Sequence, residues 1–105
     1  MDNAKVDTFY RLTLDALKIC GLTRNRDTAD RLTRQLVSLT VKYGFLELES
    51  RVLKQSQAPV EEVYPELEKL RAFIEANQAF FTDARVRKHL RDSSLYQVVY
   101  YHKHQ

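Results

Sequence analysis

Apolar residues recur every three to four positions along most of this chain, which is the spacing of a buried helical face. The longest run is Ala29, Leu32, Leu36, Leu39, Tyr43 and Leu46, and its phase continues through Ser50 to Leu53. Val37, Val41, Phe45, Leu48 and Val52 form a second line that widens the stripe. A heptad-like pattern of this length predicts one long helix over about residues 28–55, with Asp27 as its N-cap. Gly44 falls inside it. The phase passes through Gly44 without a shift and no proline follows. The expectation is therefore an interior glycine, tolerated at a cost of roughly 1 kcal/mol; a C-cap or kink at Gly44 is the alternative.

The same spacing recurs on both sides of this element. Val6, Tyr10, Leu14 and Leu17 predict a first helix from about 3 to 20, ended by Gly21. Leu12, Ala16 and Ile19 make it apolar on a second side, which suits the centre of a bundle or a subunit interface. After the connection 55–59, Val60, Val63, Leu67, Leu70, Ile74, Asn77 and Phe81 predict another helix, regular from about 64 to 80 and opened by Pro59 or Pro65. Glu61, Glu62, Glu66 and Glu68 crowd its N-terminal end, where the helix dipole favours negative charge. Thr82 is placed to cap a short helix reaching about Arg91.

Residues 95–101, Leu-Tyr-Gln-Val-Val-Tyr-Tyr, have the composition of a strand. No other segment alternates as a strand partner would, so a short helix is expected there, with pairing to a second copy of the chain as the alternative. Two glycines and two prolines in 105 residues are too few for a sandwich or barrel of short strands. The fold class is thus all-α, a small helical bundle of four to five helices in one domain spanning 1–105.

Chemistry-bearing constellations are sparse. Histidine occurs only at His89, His102 and His104, and the one cysteine, Cys20, lies beside the first apolar stripe. The sequence contains no Gly-rich phosphate loop, paired-cysteine zinc signature or helical His-x-x-x-His motif. Neither a catalytic site nor a metal or other cofactor is expected. A single cysteine suits a reducing compartment. Met1-Asp2-Asn3-Ala4 does not read as a secretory signal, and no apolar run approaches the ~18 residues of a membrane span. A cytoplasmic location away from membranes is expected.

Charge is segregated along the chain. Residues 1–55 carry ten Lys/Arg against seven Asp/Glu, residues 56–81 two against five, and residues 82–105 five against two. Arg85, Arg87, Lys88 and Arg91, followed by Tyr96, Tyr100 and Tyr101, form the leading candidate for a partner-binding surface. Arg24, Arg26, Arg31 and Arg34 form a second basic cluster. Arginine and tyrosine are the residues that rim protein interfaces, and apolar helical faces wider than a small bundle needs imply a partner. The expected function is a non-enzymatic protein–protein interaction module, acting as a regulator, adaptor or structural subunit, with a second copy of the chain among its partners. The alternative is a nucleic-acid-binding accessory protein that uses the same two basic clusters.

Overall fold

The computed structural model describes residues 2–92 and is all-α. Six helices follow in order: α1 (Asn3–Ile19), α2 (Arg26–Tyr43), α3 (Phe45–Gln55), α4 (Val60–Ala76), α5 (Gln78–Thr82) and α6 (Ala84–Arg91). No strand occurs among the described residues, and none of their helices is long and apolar enough to cross a membrane. Tyr96, Tyr100, Tyr101 and the expected short helix at 95–101 lie outside the described residues.

The doubly apolar α1 takes the central position. It packs against α2 on one side and α4 on the other, and buries Val6, Phe9, Tyr10, Thr13, Leu14, Ala16 and Leu17. α2 also meets α3 and α6; α3 lies on α4, and α5 bridges α4 and α6. Thr13, Thr33 and Thr40 are the buried polar residues of this core. Their hydroxyls donate to the Phe9, Ala29 and Leu36 carbonyls one turn back, so none is left unsatisfied.

The single helix expected over 28–55 is two helices, hinged at Gly44. Its φ of 96° and ψ of 175° belong to a region that only glycine enters cheaply. The Gly44 amide donates to the Thr40 carbonyl at 2.8 Å, closing α2, and Phe45 opens α3 directly. A hinge of one residue leaves the numbering of the apolar stripe intact while turning the chain, so unbroken phase concealed it.

Gly44→Ala should lower stability by about 1–2 kcal/mol, because the new methyl group enters a left-handed backbone. The added Cβ would meet nothing within 4 Å, so backbone strain alone sets the cost. Urea unfolding would measure it, and a neutral or stabilising substitution would mean that the hinge is not fixed by this backbone geometry.

The remaining boundaries shift for local reasons. Asn25, not Asp27, caps α2, its Oδ1 accepting the Thr28 amide at 2.9 Å. α4 runs 60–76 rather than 64–80: Pro59 opens it, Pro65 sits inside, and Asn77 interrupts before α5 begins. Asp83, not Thr82, caps α6 by accepting the Arg85 and Val86 amides. Those two amides hold the Asp83 carboxyl below its usual range.

Candidate functional site

Both apolar lines of the α2–α3 segment contribute to the core, and to different extents. Thr33, Leu36, Val37, Thr40 and Val41 of α2 are buried, together with Leu48 and Val52 of α3. Of the more regular line, Ala29 and Leu36 are buried, Leu32 and Leu39 stay half-covered, and Tyr43 and Leu46 on either side of the hinge are 70% and 76% exposed. Among the described residues, Leu32, Leu39 and Tyr43 of this line open onto a groove of about 620 Å³.

Four helices and one loop frame the groove. Its floor is Leu17 of α1, Leu22 of the following loop, Leu32, Leu36 and Leu39 of α2, and Val52 of α3. Around the floor stand Arg34 and Lys42 of α2, Arg51 of α3 and Arg91 at the end of α6; Asp92 is the one acid among the lining residues. The exposed Tyr43 also lines it. Arg51 shares its charge with Glu47 one turn away, at 3.3 Å on the surface. Burial pushes the Asp30 carboxyl up, against the pull of Arg34 and Arg26. The result is an apolar trough bordered by positive charge.

The expected partner-binding residues separate on this framework. Arg34 from one basic cluster and Arg91 from the other meet at the same groove. Arg24, Arg26 and Arg31 are exposed near the start of α2, and Arg85 and Lys88 are exposed on α6, outside the lining. Arg85 lies 3.8 Å from Asp83. Arg87 is half-buried and turned inward, donating to the Val41 carbonyl at 2.8 Å and the Phe81 carbonyl at 3.5 Å. Lys42, Tyr43 and Arg51 escaped the sequence reading. Lys42 could have been found: positions 34, 38 and 42 form one row of α2 alongside the leucine line.

Cys20 is buried at the end of α1, and burial raises its thiol above the usual range while a hydrogen bond from Ser56 opposes the shift. The Gln57 amide donates to the Cys20 carbonyl at 2.9 Å, tying the two loops together. The residue therefore acts in packing, where free cysteine is a small hydrophobe. No family model, curated protein or solved structure matches this chain.

Proposed function

We propose that the chain is a non-enzymatic protein–protein interaction module that seats an amphipathic, acidic segment of a partner in the groove beside α2. The observation that carries this reading is the coincidence of an uncovered leucine line with four cations around it. An amphipathic helix laid into such a trough would bury apolar side chains spaced i, i+3, i+4 and i+7 against Leu32, Leu36 and Leu39. Its carboxylates would meet Arg34, Lys42, Arg51 and Arg91 at the rim, where charge sets orientation and on-rate more than affinity. Tyr43 is the residue at the mouth suited to act as an aromatic anchor.

A synthetic Leu/Glu amphipathic peptide of about four helical turns is a direct probe. It should bind the protein and broaden or shift the amide resonances of α2 and α3. Lys42→Gln with Arg91→Gln should weaken binding about tenfold at low salt, with helical content unchanged. Undiminished binding by this variant, or shifts confined to α4, would remove the groove from the proposal.

The meeting of Arg34 and Arg91 also favours a second reading, in which the rim holds nucleic-acid phosphates. Titration with duplex and single-stranded DNA and RNA at two salt concentrations separates the two. A phosphate binder loses affinity steeply with salt and does so without needing the leucine floor. Failure to bind any of them at low salt removes this second reading.

A further inference from the structure

We propose that the acidic segment seated in the groove is the outer face of α4 in a second copy of this chain, so that copies associate head to tail. This rests on the interaction reading above and names its partner. Two surfaces of opposite charge carry it. The groove lining holds Arg34, Lys42, Arg51 and Arg91 against the single acid Asp92. α4 holds five acids against two bases. Those bases, Lys69 and Arg71, already pair with Glu66, Glu68 and Glu75 of their own helix. Among the described residues, Glu61 and Glu62 at its start join no ion pair. The outside of α4 is apolar as well as acidic. Val60 and Tyr64 are 41% and 51% exposed, two of the five large apolar residues so exposed among the described residues. With Glu61 and Glu68 they fall at helical spacing on one exposed face.

The two surfaces also match in length. Glu61 and Glu68 are separated by about 10 Å along α4, and Arg34 and Lys42 by about 12 Å along α2. Laid along α2, this face brings Val60 and Tyr64 to the half-covered Leu32 and Leu39, and its carboxylates to the rim cations. The inner side of α4 stays in its own core, where Val63, Leu67 and Leu70 are buried. α4 contributes no residue to the groove, and the central α1 packs against both α2 and α4. A chain therefore cannot close its groove with its own α4. Groove and face are different surfaces, so the contact is heterologous: a pair keeps one unused groove and one unused face, and growth continues. A single helix face is a small interface, which makes the association weak, concentration-dependent and sensitive to salt.

The test is complementation between two variants of the full chain, read by sedimentation equilibrium. One variant alters the groove, Lys42→Gln with Arg91→Gln; the other alters the face, Glu61→Gln with Tyr64→Gln. All four positions are exposed, so helical content should not change. At low salt the unaltered chain should grow in average mass between about 10 μM and about 1 mM, the range of a weak interface, and return to monomer at high salt. Each variant alone should associate about tenfold more weakly. Their equal mixture should form dimers and nothing larger, because one copy keeps a groove and the other keeps a face. An unaltered chain that stays monomeric at low salt would overturn the proposal. So would a face variant that associates as well as the unaltered chain, which would mark a symmetric groove-to-groove contact, or a mixture that stays monomeric. The Leu/Glu peptide separates this proposal from the reading it rests on. Peptide binding by a chain that never self-associates would overturn the second copy and leave the interaction reading standing. A mixed dimer that forms although the face variant binds no peptide would support the α4 contact and sink the reading of a general acidic-helix receptor.

Discussion

Phe9→Ala should lower the unfolding free energy by about 3–5 kcal/mol, the loss seen when a large aromatic is truncated in a core that cannot collapse around the gap. Phe9 is 0% exposed on the central helix α1. Its ring takes the edge-to-face position against Phe81 at 5.0 Å, and Phe81 in turn meets Phe73 at 5.9 Å and Phe80 at 5.2 Å. The truncation thus removes apolar contact and one end of an aromatic cluster that joins α1, α4 and α5. A domain of this size has a total stability of about 5–15 kcal/mol, so the variant should be partly unfolded or melt well below the parent. Chemical denaturation should show a lower midpoint with an unchanged slope. Phe9→Leu, which retains most of the volume, should recover more than half of the loss. A Phe9→Ala loss below about 1 kcal/mol would place Phe9 outside the core and α1 outside the centre of the bundle.

The helical class follows from spacing alone, because period is a property of each segment by itself; the doubled apolar faces of α1 suited both a central helix and a subunit interface, and packing against α2 and α4 gives it the central place. What spacing could not supply was direction. Gly44 keeps the stripe in phase yet swings α3 back across α4, since one residue in a left-handed backbone changes geometry without changing count. The two apolar lines also divide between core and surface in a way their regularity does not show: Val37, Val41, Leu48 and Val52 of the secondary line are buried, whereas the more regular line is split, with Ala29 and Leu36 buried and Leu32 and Leu39 half-covered beside the groove. Helix capping was readable only in kind. Asn25 sits two positions before the residue expected to cap α2, and Asp83 one position after the residue expected to cap α6, because several polar residues competed at each boundary.

The groove was legible in its ingredients and not in its assembly. Surplus apolar surface and two arginine clusters are visible in the sequence, but Arg34 and Arg91 lie far apart along it, and only the packing of α6 on α2 brings them to one trough. That same packing turns Arg87 inward, though it shares a short basic helix with Arg85 and Lys88. An amphipathic helix of eight residues offers one inward face, and on α6 that face carries Val86 and Leu90, with Arg87 beside Val86. Charge alone cannot tell a docking arginine from one that serves the fold; the neighbouring buried positions can.

Arg87→Ala should therefore reduce stability by roughly 2–3 kcal/mol, the range for hydrogen bonds made by a charged donor. Its guanidinium reaches the Val41 carbonyl in the last turn of α2 and the Phe81 carbonyl near the end of α5. Carbonyls at helix ends lack amide partners of their own helix, and a cation there also meets the negative end of the dipole. One planar fork thus closes two helices and holds α6 against both. Arg87→Lys should recover only part of the loss, because a single ammonium cannot reproduce two divergent donors. Urea unfolding measures the total, and amide hydrogen exchange locates it: protection should fall first in α6 and the last turn of α2. Since Arg91 at the end of α6 and the adjacent Asp92 line the groove, loosening α6 should also weaken peptide binding there, although Arg87 does not line it. Wild-type stability with reduced binding would reassign Arg87 to direct partner contact. Reduced stability that Arg87→Lys partly restores would fix it as the clamp that keeps the α6 side of the groove in place.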